Sequence, residues 1–258
     1  MDSVEKYVKS IEWIRDELSG MDSLASPILG IRDWDDAVCV EFGGERLLAS
    51  VDGPYTKRLV LKSALIHAST DVVVKGGRPI FALDTLVGSK PDLDEMVKSL
   101  RIQAEALKIP LLGGNTLIED VEPRCSLTVV GRLLPGEPIR DSTAKKGDVI
   151  ALLGEPIWGE RDERIVKAET LFKTWYEALE KGVKINSSKD VTKGGIVSVV
   201  YEMEQKSGKK FKLKDKLDYP LSRNLDNFML TLKGVEFEKL ENLAGKNKCA
   251  LEKIGVVE

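Results

Sequence analysis

Apolar residues recur along this chain at two spacings, one near four and one of two. Val4, Val8, Ile11, Ile14 and Leu18 fall on one face of a helix over residues 2–19, which Gly20 ends. Residues 37–42 and 46–51 are β-rich runs joined by Gly43-Gly44-Glu45, and predict a hairpin. Leu59, Leu61, Leu65, Ile66, Val72 and Val73 predict a helix over residues 58–75, which Gly76-Gly77 and Pro79 stop. A strand over 80–87, a helix over 93–108 capped by Asp92, and strands over 109–112 and 125–134 follow. Residues 135–147, with two prolines and two glycines, read as a linker. Beyond it, 148–153, 228–232 and 249–257 read as strands. Residues 161–180, 196–205 and 235–243 read as helices. The expected fold class is α+β, in two domains covering residues 1–137 and 138–258.

Composition narrows the function. The 258 residues are 42% hydrophobic and 31% charged, the balance of an ordinary globular protein. Thirty-nine Lys and Arg against 42 Asp and Glu leave a net charge of −3, which argues against nucleic acid or an anionic membrane as partner. Cys39, Cys125 and Cys249 form no CxxC pair, so neither a zinc knuckle nor a disulfide framework is expected. No apolar run is long enough to span a bilayer and the N-terminus lacks a signal-peptide pattern, so a cytoplasmic location is expected. The single histidine, His67, excludes HExxH chemistry and reads as a packed helix residue. Neither GxxxxGK[ST] nor GxGxxG occurs, so a nucleotide needs some other cradle. The lysines between Lys206 and Lys216 alternate with Phe211, Leu213 and Leu217, as on a solvated edge strand.

Five short knots stand at the ends of apolar runs. They are Asp33-Trp34-Asp35-Asp36, Asp52-Gly53-Pro54, Asp71 with Gly76-Gly77 behind it, Gly113-Gly114-Asn115-Thr116, and Asp190-Val191-Thr192-Lys193-Gly194-Gly195. Each alone reads equally as a cap or turn. Together, carboxylates from separate element ends suit a magnesium ion, and bare glycine amides at a turn or helix start suit phosphate.

These knots, in this order, resemble the AIR synthase (PurM-like) superfamily, which includes thiamin-monophosphate kinase, selenophosphate synthetase and the hydrogenase maturation dehydratase. The likeness runs over about residues 20–200. It implies an N-terminal mixed-sheet half-barrel that dimerises through its sheets, followed by a smaller, shortened C-terminal α+β domain. It also implies Mg2+ held by Asp35, Asp36, Asp52 and Asp71, and ATP in the dimer cleft. The phosphates would be lined by Lys57, Gly113, Gly114, Asn115, Thr116, Asp190, Thr192, Gly194 and Gly195. The implied activity is phosphoryl transfer to an oxygen of a small-molecule acceptor, of ligase or kinase type. A non-catalytic ATP-binding paralogue and a metal-free structural dimer are the alternatives, and no catalytic base is identified. Trp34 replaces the family's usual glycine, Asn115 replaces an acidic residue, and no cysteine-bearing glycine loop precedes Asp35, which argues against selenophosphate synthesis.

Overall fold

The computed structural model describes residues 2–134 and 136–258. Met1 and Pro135, which open the first expected domain and the expected linker, lie outside the described residues. In chain order the elements are α1 (Asp2–Leu18), a 3-10 turn (Ser19–Met21), α2 (Asp22–Ala25), β1 (Val38–Phe42), β2 (Glu45–Thr56), α3 (Lys57–Val60), α4 (Ala64–Val74), β3 (Gly77–Gly88), α5 (Lys90–Leu107), β4 (Leu111–Ile118) and β5 (Arg124–Leu133). Then come β6 (Val149–Leu153), α6 (Arg161–Glu180), β7 (Ser187–Asp190), α7 (Gly195–Ser207), β8 (Phe211–Leu213), β9 (Phe228–Leu232), α8 (Gly234–Asn247) and β10 (Leu251–Val257).

Two five-stranded sheets result, ordered β1-β2-β5-β3-β4 and β7-β9-β6-β10-β8. The first is mixed. Only β3 and β4 run parallel, because α5 carries the chain across between them. One face of this sheet is apolar and packs on α4 and α5 through Leu48, Val72, Ala82, Leu100, Leu127 and Val129. The other face is largely uncovered among the described residues: Val38, Phe42, Val51 and Leu83 are exposed on it. The second sheet is antiparallel throughout and buried on both faces, so every residue of β6 and β9 is buried and all but Thr231 are apolar. Trp175, Leu171 and Leu240 fill one side of it. Ile196, Val199 and Met203 of α7 fill the other.

α4 lies between the halves. Ala64, Leu65, Ala68 and Val72 pack into the first core, while Ile66, Val73 and Val74 pack into the second. A helix apolar on nearly every side has to be enclosed. The carbonyls at its C-terminal end find donors from the second half: Trp175 Nε1 donates to Val73 O at 2.6 Å and Ser188 Oγ to Val74 O at 2.6 Å.

Three local expectations are corrected. The helix expected over 58–75 breaks at residues 61–63, where the buried Gln103 amide bridges the gap: Leu65 N donates to Gln103 Oε1, and Gln103 Nε2 donates to Val60 O. The cap of α5 is Ser89, not Asp92. Gly113-Gly114-Asn115-Thr116 is not a turn but part of edge strand β4, with Gly114–Thr116 paired to Asp84–Leu86 and Gly113 at a register shift. A Cβ on Gly114 would sit 1.8 Å from Asp84 O, so glycine is what lets β4 approach β3.

Replacing Trp175 with Phe leaves Val73 O short of a buried donor and opens a small void. The urea midpoint should fall by the equivalent of about 1–3 kcal/mol, with the slope of the transition unchanged. An unchanged midpoint would show that this indole does not tie the halves together.

Candidate active site at the seam of the two halves

The polar residues of α4 collect on the side that the second half covers. His67, Asp71 and Lys75 are spaced four apart and Thr70 lies beside them, so one helical stripe presents all four. Their partners come from the first hairpin, from β7 and from the loop before β9.

One end of this seam is acidic. Asp71 accepts from Ser50 Oγ at 2.7 Å. Burial, with the negative charges of Asp190, Asp36 and Asp52, pushes its carboxyl well above the usual carboxylate range. Asp190 accepts from Thr70 Oγ1 at 2.8 Å and is pushed up to about 7, by burial first and then by Asp36. Asp52 accepts from its neighbour Gly53 N and lies 3.3 Å from His67 Nε2. The other imidazole nitrogen, Nδ1, is 2.5 Å from Asp226 Oδ1. Burial opposes a charge on His67, but Asp226, then Asp52 and Asp190, outweigh it and hold the imidazolium up to a pKa of about 10. Asp226 has a left-handed φ of 54°, and its amide donates to Val191 O at 2.9 Å.

The other end is electrically closed. Lys75 Nζ, with no exposed surface, lies 3.2 Å from Asp36 Oδ2 and 3.9 Å from Asp35 Oδ1, and donates to Ser188 O at 2.6 Å. Lys189 Nζ pairs with Asp36 and lies 3.5 Å from Glu202 and 3.8 Å from Asp141. Lys206 Nζ lies 2.8 Å from Asp141 Oδ2 and 3.6 Å from Asp35 Oδ1, and bonds Trp34 O. Burial opposes the ionisation of Asp36, yet Lys189 and Lys75 hold its carboxyl below the usual range. Asp35 is pushed up to about 7, mainly by burial, with Asp141 adding to it. A cavity of about 600 Å³ opens here, lined by Trp34, Asp35, Asp36, Val51, Lys189 and Glu202. It reaches the uncovered face of the first sheet.

The other expected site residues lie as follows. Thr192, Gly194 and Gly195 connect Asp190 to α7, and a Cβ on Gly195 would meet Leu221 O at 2.5 Å. Lys57 is paired with Asp92 and Glu95 of α5, at 2.8 Å each. Gly113, Gly114, Asn115 and Thr116 are exposed on the far edge strand. The registers run Asp52, Leu127, Asp84, Gly114 across the sheet, which puts Gly114 three strand spacings, about 14 Å, from Asp52. Within one chain the acidic knots and the Asp190 loop come together, while Lys57 and the Gly113–Thr116 strand stand apart.

Sequence reasoning missed Asp226, Asp141, Glu202, Lys75 and Lys189, and read Lys206 as solvated when it turns inward. Two signals were available: Asp226-Asn227 precedes an apolar run as Asp35-Asp36 does, and Lys75 closes the run Val72–Val74. His67 is the packed helix residue expected, with an ion-pair role that was not.

The implied magnesium fits one end only. Among the described residues, no three His, Cys, Asp or Glu side chains form a ready cage. The Asp52–Asp71–Asp190 end offers hard oxygen donors and negative charge in excess of what His67 and Lys189 balance, which suits an ion whose shell nucleotide phosphates complete. The Asp35–Asp36 end already holds its cations.

With this geometry in hand, the chain can be set beside known proteins. The family "AIR synthase related protein, N-terminal domain" matches residues 34–133. An uncharacterized protein of Methanocaldococcus jannaschii is 37% identical over 253 residues, 96% of this chain and 82% of that one. A selenide, water dikinase of Caldanaerobacter subterraneus subsp. tengcongensis is 32% identical over 173 residues, 61% of this chain and 49% of the relative. Among solved structures, T. maritima PurL complexed with ADP superposes with a TM-score of 0.74 at 15% identity, over 86% of this chain and 42% of that one. A chain of the HypE–HypF complex does so at 0.70 and 19%, over 88% of each. The chain belongs to the AIR synthase-related, PurM-like family. It spans about half the length of the dikinase it matches.

The shifted carboxyls set a pH dependence. Asp190 and Asp35 titrate near 7 when folded and near 3.8 when unfolded, so the folded chain binds more protons between those values. Stability therefore falls as pH rises from about 4 to 7. His67, raised from 6.5 to about 10, extends the fall upward. The melting temperature of the metal-free protein should drop between pH 5 and 8 by at least ~2–4 °C, the equivalent of about 1 kcal/mol at this chain length. Asp71→Asn should raise it at pH 8. A flat profile in calorimetry would show that these carboxyls are not crowded.

Proposed function

We propose that this protein is an ATP-dependent phosphoryl-transfer enzyme that activates an oxygen of a small-molecule acceptor at the seam between its halves. The observation that carries this reading is the convergence of Asp52, Asp71 and Asp190, from three separate elements, on negative charge that His67 and Lys189 offset only in part. Family relatives of the same fold have been solved with nucleotide: T. maritima PurL with ATP, and AaThiL with AMPPCP and TMP.

In this reading Asp71 and Asp52 hold the Mg2+ that arrives with the nucleotide, and Asp190 faces it from the second half. When bound, the ion would neutralise charge on the transferring phosphoryl group. Ser50 and Thr70 orient the carboxylates, and His67 fixes Asp52 against Asp226. Gly194 and Gly195 at the start of α7 offer backbone amides to a phosphate. Positioning and charge neutralisation supply most of the acceleration in such transfers, so the lack of an evident base is compatible with turnover.

The uncovered sheet face supports a homodimer. Val38, Val51 and Leu83 lie on the same face, in a patch that a second copy would bury, and the 600 Å³ cavity opens beside it. Such a dimer would leave the exposed Gly113–Thr116 strand of one copy free to reach the cleft of the other.

Two measurements test this reading. Mg-AMPPCP at about 100 times its dissociation constant should stabilise the chain by roughly 2.7 kcal/mol, and Asp71→Asn should abolish that gain. No shift at any concentration would refute nucleotide binding. Light scattering should return twice the chain mass, and Val51→Asp should halve it. Product analysis with candidate acceptors then separates a kinase, which leaves a phosphorylated acceptor, from a ligase, which releases phosphate.

A further inference from the structure

The three lysines among the carboxylates are not ordinary surface cations. Lys75 has no exposed surface, and the side chains of Lys189 and Lys206 are 10% and 15% exposed. They come from three places: the end of α4, strand β7 and the last turn of α7. Their three ammonium groups meet three aspartates that are buried as deeply, Asp35, Asp36 and Asp141. Asp141 comes from the connection between the two sheets and belongs to none of the five knots. Formal charge in this group sums to zero, and Glu202 adds one further carboxylate at its rim.

The lysines are also anchored. Lys75 donates to Ser188 O and Lys206 to Trp34 O, so these two ammonium groups are fixed by a backbone carbonyl as well as by carboxylates, while Lys189 is held by carboxylates alone. Asp35 Oδ2 and Asp36 Oδ2 are buried and lack hydrogen-bond partners, yet the three ammonium groups around them already match the three aspartates in formal charge.

Resting on the reading above, we infer that Lys75, Lys189 and Lys206 are built-in counter-cations that occupy the Asp35–Asp36 end of the cleft, so that a divalent ion binds only at the Asp52–Asp71–Asp190 end. Asp35 and Asp36 then serve as positioning residues that hold the lysines, and Lys189, which lines the 600 Å³ cavity, presents fixed positive charge to whatever anion enters it.

Mn2+ serves as the probe. Crystals of the full chain grown with Mn2+, with and without AMPPCP, should show no anomalous peak between Asp35 and Asp36. A peak there overturns the inference. In solution, the EPR signal of free Mn2+ counts bound ions. Lys75→Met and Lys189→Met together should bind one more Mn2+ per chain than the native protein. A folded double variant with no added ion would show that the lysines are not what excludes the metal. Should that variant fail to fold, the native map decides alone. Mn2+ absent from every part of the native protein, even with AMPPCP, counts against the nucleotide reading while leaving the lysine assignment supported. The two can therefore fail separately.

Discussion

Everything in this molecule follows from enclosing α4. Its apolar surface runs almost all the way round, so one sheet cannot bury it, and both cores take part. That requirement fixes the second half against the first. It also forces the few polar groups of α4 into a buried seam, where each needs a partner. Thr70, Asp71 and Lys75 find theirs in Asp190, Ser50 and Ser188. The helix that joins the cores is therefore also the helix that builds the site.

The seam shows two answers to burying carboxylates. At the Asp35–Asp36 end each negative charge meets an ammonium. Two unit charges 4 Å apart attract by about 4 kcal/mol at an effective dielectric of 20, which offsets part of their desolvation. At the Asp71 end like charges face one another, and Lys189 and His67 oppose them only in part. Buried groups in that state take up protons instead, as Asp71 and Asp190 do. Strain of this kind is kept where a ligand relieves it, and perturbed carboxyls at a cleft are where chemistry is sought.

Much of this was legible in the sequence, and the reason differs by element. Helices with clear periodicity were found, α1 and α7 within two residues, α5 starting three residues early and α8 running four residues further, and residues 161–180 and 228–232 coincide with α6 and β9. β7 was missed because Ser187–Asp190 is four buried polar or charged residues with no apolar pattern to read. The break between α3 and α4 depends on Gln103, some forty residues on, which no local rule can see. The acidic knots were visible because each adjoins an apolar run, although Asp52 lies inside β2 at a bulge and Asp71 in the last turns of α4. The lysines were not, because a single lysine beside an apolar run looks like a solvated end until the opposing half is in place. Gly113–Thr116 looked like a turn because glycines usually punctuate, whereas here Gly114 lets two strands touch.

Placement of the site at the seam has a thermodynamic consequence. Asp71 belongs to one half and Asp190 to the other, so their repulsion acts against docking of the halves, while His67–Asp226 and Lys75–Ser188 act for it. Any cation bound between the carboxylates removes the opposing term and leaves the favourable ones. Ligand binding and docking of the halves are then a single coupled equilibrium, in which each strengthens the other by the same free energy. A site on one rigid half would lack this property. It arises here because α4 can be buried only by two partners, and because its polar stripe lies where they meet.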